Sequence, residues 1–251
     1  MLYPKTIPSL QNIKVLSVLI LFLFVMTGTS YGQMFSVGDT NQEETRPLGS
    51  YTNFAISWEF ADLEYQGDEL SVEDRADFQS NVIRVQLENP GLHVSIGAGG
   101  KLTGMDDTSY LNMNAMLFND TPIVRSEGFR LSIPIQIITD LKRAQANQSS
   151  IEFQQSSLIF GTGLSSSIRI AERVDFQARA TPNYGFSFSQ GNLFGGSLFR
   201  TNGKLRLFFN EIIGQNSLSV GYDFDYRNYN IEGDQNDYRY LSHSFSVGFA
   251  F

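Results

Sequence analysis

The 251-residue chain contains no cysteine. That excludes a disulfide framework and a thiolate metal site, and it leaves no residue to carry the acyl anchor of a lipoprotein. Charge is scarce too. Lys, Arg, Asp and Glu make up 18% of the residues, and 26 acidic against 18 basic groups leave a net charge of −8. Without a basic face a protein has little means of neutralising phosphates, so nucleic acid is not an expected partner. Phosphate loops, dinucleotide fingerprints and zinc-ligand spacings are absent, and neither a cofactor nor a metal is expected. What is plentiful is 21 Phe, 11 Tyr and 22 Gly, a combination that favours many strands joined by tight turns.

Long apolar runs are missing as well, except at the start. Lys5 and Lys14 accompany the apolar run Val15 to Met26, which is too short for a membrane-spanning helix of about 20 residues. Small residues follow in Thr27-Gly28-Thr29-Ser30-Tyr31-Gly32. This is the pattern of a cleaved signal peptide, expected over residues 1–32 with cleavage after Gly32. Loss of the two lysines would take the mature charge to −8 − 2 = −10. Residues 33–50 are polar, lack periodicity and contain Pro47 and Gly49, so a flexible periplasmic lead-in is expected there. No later stretch is apolar enough for a spanning helix. Any membrane crossing by the mature chain would have to use strands.

From Tyr51 onward the hydropathy alternates with period two, the signature of strands with one apolar face. Phe54, Ile56, Trp58 and Phe60 share a face opposite Asn53, Ala55, Ser57 and Glu59. Ile83, Val85 and Leu87 alternate with Arg84, Gln86 and Glu88, and Asn89-Pro90-Gly91 then signals a turn into Leu92, Val94, Ile96 and Ala98. Further strands are predicted around 110–118, 129–138, 158–170, 174–188, 198–209, 217–229 and 241–251. The count is ten, or eight if the weaker ones merge. Predicted connections at 89–91, 119–128, 171–173 and 210–216 are mostly short. Those at 61–80, 100–108, 139–156, 189–197 and 230–238 are longer and polar.

Alternation alone does not say whether the apolar face lines a core, as in a lipocalin-like barrel or a β-sandwich, or meets lipid. The polar face is dominated by Gly, Ser, Asn, Gln and Ala, whereas a water-facing surface would be rich in Lys and Glu. Aromatic residues gather in Tyr184, Phe186, Phe188, Tyr222, Phe224 and Tyr226, read as girdles near strand ends. The final strand ends in Phe245-Ser246-Val247-Gly248-Phe249-Ala250-Phe251. This tail resembles the C-terminal signal of bacterial outer-membrane β-barrels, with Phe245, Val247, Phe249 and Phe251 in the alternating apolar positions. With the hairpin pattern, the resemblance covers residues 51–251. It points to the small barrel group typified by OmpA and OmpX, although the peptidoglycan-binding domain of that group's larger members has no counterpart after Phe251.

The resemblance implies an all-β fold: a transmembrane antiparallel up-and-down β-barrel in the outer membrane, inserted by the barrel-assembly machinery. Its surroundings would be outer-membrane lipid and lipopolysaccharide, and an envelope protein is a further expected partner. The polar face then becomes the lumen. Glu59, Arg84, Glu88, Arg130, Arg169, Asp175, Arg179, Lys204, Arg206, Asp223, Asp225 and Arg227 all fall on it. Mixed signs favour a lumen plugged by ion pairs, because an unpaired buried charge is costly. The expected role is structural or surface-interacting, and no enzyme activity is expected. A narrow porin-like channel lined by the same groups is the alternative; a lipid-modifying barrel enzyme is a weaker one.

Two constellations could carry such chemistry. Asp223-Phe224-Asp225 places two carboxylates on one face, as a barrel protease would need, but His93 falls at the periplasmic end and His243 on the outer face. A lipid hydrolase needs a lipid-facing His and Ser. His243 qualifies near the outer rim, yet Ser242 and Ser244 point inward. The acidic stretch Ala61–Ser80 holds Asp62, Glu64, Asp68, Glu69, Glu73, Asp74 and Asp77 against a single Arg75. It reads as a solvated loop, or as carboxylate ligands for divalent cations that bridge lipopolysaccharide. The terminal signal leads to a direct expectation: Phe251→Ser impairs assembly, measured as the fraction of chain recovered in outer-membrane fractions. Normal insertion of that variant would remove the tail as a signal.

Overall fold

In a computed structural model, the described residues are 48–67, 76–146, 152–189, 195–231 and 236–251. The expected signal peptide lies outside them. Eleven strands form a single antiparallel sheet: β1 (Asn53–Tyr65), β2 (Phe78–Asn89), β3 (Leu92–Gly99), β4 (Thr108–Arg125), β5 (Phe129–Ala146), β6 (Glu152–Thr162), β7 (Leu164–Ala171), β8 (Val174–Ser189), β9 (Gly196–Ile213), β10 (Asn216–Ile231) and β11 (Tyr238–Ala250). Each strand pairs with its sequence neighbours, except that β6 and β7 do not pair with each other and both pair with β5 and β8. The first strand pairs with the last, Asn53 opposite Ala250 and Tyr65 opposite Tyr238, so no edge is left open.

β6 and β7 occupy one position in the barrel, which makes ten strand positions from eleven strands. Both halves keep the same register, Ile135 opposite Thr162 and Ser132 opposite Ser165 on one side, Gly161 opposite Asn183 and Leu164 opposite Ala180 on the other. The interruption is at Gly163, where the flanking strands contribute Pro134 and Pro182. Proline has no N–H to give to a ladder, so hydrogen bonding lapses there without a shift. A side chain at Gly163 would collide with the carbonyl of Ala180. The sequence pattern reads 158–170 as unbroken because prolines on neighbouring strands leave no mark on the strand they interrupt.

Turns at the end carrying the strand termini are tight. Pro90-Gly91 joins β2 to β3, with Gly91 at φ +102 as the third residue of a type II turn requires. Gly214 takes φ +63 in the two-residue link between β9 and β10. The opposite end carries the longer connections. This asymmetry matches the short periplasmic turns and long outer loops of transmembrane barrels.

The apolar face looks outward. Along β1 the inward Asn53, Ala55, Ser57 and Glu59 are buried, while Phe54, Ile56, Trp58 and Phe60 are exposed. Ile56 is 56% exposed and Glu59 0%, the reverse of the order that burial in water would impose. The same inversion holds for Ile135 against Gln136 and for Phe245 against Ser244. Above the belt the outward positions turn polar: Asp62 and Glu64 follow Phe60 on β1, and Arg239 precedes Leu241 on β11.

Several strands run further than their sequence pattern suggests. β4 continues past Phe118 to Arg125 and β5 past Ile138 to Ala146. On β10, Tyr222 and Phe224 lie midway along the strand rather than at a girdle, while Tyr184 and Phe186 lie close to the long-loop end of β8. Substituting Gly163 by Val is expected to lower unfolding stability by roughly 1–3 kcal/mol, the usual cost of overpacking. The check is the denaturation midpoint in detergent; an unchanged midpoint would mean that the ladder gap has room.

Candidate functional site: the barrel interior

Every inward-facing charge comes from a strand whose alternate residue must face outward, so the interior is set residue by residue. Four tiers can be followed from the strand-termini end to the long-loop end.

At the first tier the chain itself crosses the mouth. Residues 48–50 are the described part of the segment expected as a lead-in, and Leu48 is buried. Gly49, at φ +85, lies against Ser167 and Arg130, on strands across the barrel from β1. Tyr51 stacks on Phe208, ring centroids 4.0 Å apart and interplanar angle 4°. Its hydroxyl bonds Asp175 and Asn210, and Asp175 also pairs with Arg169 at 3.1 Å.

Beside this strap a cavity of about 270 Å³ opens, lined among others by Glu88, Asp120, Arg130, Arg179, Lys204 and Arg206. Lys204 Nζ donates to Glu88 at 2.8 Å and approaches His93 Nδ1 at 3.4 Å. Arg179 donates to Asp120 at 2.6 Å and stacks over the Phe118 ring at 4.1 Å. Arg130 bonds the Asp120 carbonyl and the Ser132 hydroxyl, each at 3.2 Å.

The third tier is the most highly charged. Arg206 grips Asp223 with two contacts of 2.8 and 2.9 Å from one guanidinium nitrogen. Glu59 pairs with Arg84 and accepts the hydroxyl of Tyr240. Arg200 reaches both oxygens of Asp225, at 2.8 and 3.2 Å. Arg227 bridges Asp225 and Asp140 and also donates to Tyr229 at 3.2 Å. Amides fill the remaining width: Gln136 donates to Thr181, Asn183 and Asn202.

Toward the long loops the interior becomes aromatic and apolar. Tyr65, Phe78, Tyr110, Phe153, Tyr229, Tyr238 and Tyr240 belong to one buried cluster with Leu63, Leu198 and Ile231. Lys142 is fully buried beneath it, donating to Tyr110 at 2.8 Å with its ammonium 3.1 Å from the Tyr240 ring centre. Small polar residues, expected to dominate the inner face, give way here to tyrosines. The outer third is packed like a soluble core, because the alternation that turns small polar residues inward lower down turns Tyr inward there.

All twelve sequence-predicted luminal charges project inward. Sequence reasoning missed four that share the network: Asp120, Asp140, Lys142 and Arg200. Asp120 and the pair Asp140 and Lys142 fell in stretches read as connections, since Ile137-Ile138 breaks the alternation. Arg200 had a usable signal, standing on the same even-numbered face as Lys204 and Arg206. Both members of the Asp223 and Asp225 pair are engaged by guanidinium groups. His243 projects outward opposite Phe60 and Phe224, well along β11 and below the rim where sequence placed it, and meets the Tyr222 hydroxyl at 2.7 Å. In the acidic stretch, Asp77 caps the backbone N–H of Tyr65 and Glu64 pairs with Arg239; residues 68–75 lie outside the described residues.

No protein-family model and no curated protein matches the sequence. Among solved structures, the chain is similar to the outer membrane protease OmpT of Escherichia coli at 8% identity and TM-score 0.37, covering 82% of this chain and 98% of that one. It is similar to the translocator domain of the autotransporter NalP of Neisseria meningitidis at 9% identity and TM-score 0.39, covering 80% and 87%. It is also similar to the attachment invasion locus protein Ail of Yersinia pestis at 12% identity and TM-score 0.24, covering 80% and 99%.

Arg227 offers the sharpest test of the network. Arg227→Ala leaves Asp140 without its ion-pair partner and Asp225 with Arg200 alone, and removing one partner of a buried pair costs about 3–5 kcal/mol. Urea unfolding in detergent is expected to show that loss. A change near zero would mean that water reaches the two carboxylates.

Proposed function

We propose that the chain is an integral outer-membrane barrel with a sealed lumen, serving a structural or surface-interaction role and not transport. One observation carries this reading: exposed aromatic and aliphatic side chains encircle the barrel while charged side chains, most of them in ion pairs, are turned inside. In water that distribution would be penalised on both faces, since apolar area contributes about 25 cal/mol per Å² when removed from water and lies here on the outside. In a bilayer the outer penalty vanishes, and inside, ion pairing offsets the cost of burying charge. A closed barrel also leaves no backbone group unpaired at an edge, as hydrocarbon demands.

The two inner tiers support the seal. Buried ion pairs spanning β1, β2, β5, β9 and β10 meet in the centre, and the aromatic cluster closes the long-loop end. A continuous water path would have to displace both. Partners are then recruited at the end of the barrel that carries the long connections.

Two measurements test the proposal. The purified chain is expected to need detergent to stay dispersed and to migrate faster unheated than boiled on a gel. In planar bilayers it is expected to give no steady single-channel steps. Free dispersion in plain buffer would overturn the membrane assignment. Regular conductance steps would overturn the seal and favour the channel.

A further inference from the structure

From the cavity at the strand-termini end we infer a binding site for hydrogen phosphate, either as the free anion or as the head of a small phosphomonoester. The site goes beyond the membrane proposal and stands on the interior geometry alone. Membrane insertion adds only that the cavity faces the periplasm.

The charge balance is the first support. Four cations, Arg130, Arg179, Lys204 and Arg206, line the cavity against two carboxylates, Glu88 and Asp120. Lys204 is matched by Glu88, Arg179 by Asp120, and Arg206 by Asp223 deeper in. Arg130 has only neutral acceptors, the Asp120 carbonyl and the Ser132 hydroxyl, and no ion pair among the described residues includes it. One lining cation therefore lacks a counter-charge.

Unused donors are the second support. The side chain of Arg179 is 10% exposed and that of Arg206 is 2% exposed. Even so, Nη1 of Arg179 and Nε of Arg206 have no hydrogen-bond partner. A buried donor without an acceptor costs free energy unless something is bound. Ser132, Ser165 and Ser167 bring hydroxyls to the same wall. At about 270 Å³ the space exceeds by far the 10–15 Å³ or so that a single water needs. Guanidinium forks and hydroxyls match the oxygens of a tetrahedral anion.

Asp120 selects among anions. One of its oxygens accepts from Arg179 and the other has no partner. A bare carboxylate oxygen repels sulfate, which has no proton at neutral pH. Hydrogen phosphate has one, as does the monoanion of a phosphomonoester, and donates it to that oxygen, turning repulsion into a hydrogen bond.

The test is calorimetry on the full chain folded in detergent, titrated with inorganic phosphate, sulfate and glycerol phosphate. Phosphate is expected to bind and sulfate to bind at least about tenfold more weakly, one charge-assisted hydrogen bond's worth of discrimination. Tighter binding of glycerol phosphate than of phosphate would assign the site to a phosphomonoester; the reverse would assign it to the free anion. Arg130→Gln, which strands no carboxylate, is expected to weaken phosphate about tenfold. Asp120→Asn is expected to remove the preference over sulfate, and Ser167→Ala to weaken binding without changing it. Each variant is first shown to keep the mobility shift of the folded barrel. Absence of binding heat with folded wild-type protein, equal affinity for phosphate and sulfate, or an unaffected Arg130→Gln variant would overturn the inference.

Discussion

The interior of a ten-position barrel is barely wider than the side chains that fill it, and from that limit most of the structure follows. An ion placed there cannot reach bulk water, so it must find its partner inside, for most of them a counter-ion on another strand. Strand register decides which ions meet. Arg227 on β10 answers Asp140 on β5 across the lumen and Asp225 on its own strand, and Arg200 on β9 completes the group. A slip of one residue in any of these strands would turn its ions into the apolar belt and its Phe or Ile into the lumen. The network and the belt are therefore two faces of one register, and each penalises the error that would spoil the other.

The gap at Gly163 shows the same economy in the backbone. Two prolines facing one strand would ordinarily argue against a closed sheet, since each withholds a ladder hydrogen bond. Here they flank a residue without a side chain, and the register resumes unchanged on either side. The lapse lies at the level where Gln136, Thr181, Asn183 and Asn202 exchange side-chain hydrogen bonds inside the barrel. Bonding lost from the wall is accompanied by bonding across the lumen.

How much of this could be read from sequence depended on whether a strand's two faces differ in polarity. Where Phe54-Ala55-Ile56-Ser57-Trp58-Glu59 alternates cleanly, strand, face and inward ion were all legible, and the ten positions followed. Where the inward residue is itself apolar, the pattern fades. Ile138 inside β5 made the strand seem to end, and Asp140 and Lys142 were lost with it. The inward tyrosines 110, 229 and 240 were invisible for the same reason, because period two distinguishes polar from apolar and not inside from outside. Pairing across the lumen was never accessible: Lys204 and Glu88 are 116 positions apart, and only closure brings β2 opposite β9.

The cavity near the chain termini is where this logic stops short of balance. Elsewhere the tiers pack to contact, and each cation has an acid or an aromatic ring to rest on. Lys142, the most deeply buried amine, has two tyrosines and no direct carboxylate, yet its surroundings are closed. Arg130 has the opposite situation, an incomplete set of partners beside open space. Structural need does not explain it, since a glutamine at 130 could bond the same carbonyl and hydroxyl without bringing a charge into the barrel. The strap at 48–51 sharpens the contrast. It crosses the mouth from β8 and β9, where Tyr51 meets Phe208 and Asp175, to β5 and β7, where Gly49 lies against Arg130 and Ser167, and the cavity opens beside it. The strap passes Arg130 with Gly49 and Ser50, neither of which carries an acid, so the charge stays uncompensated beside open space.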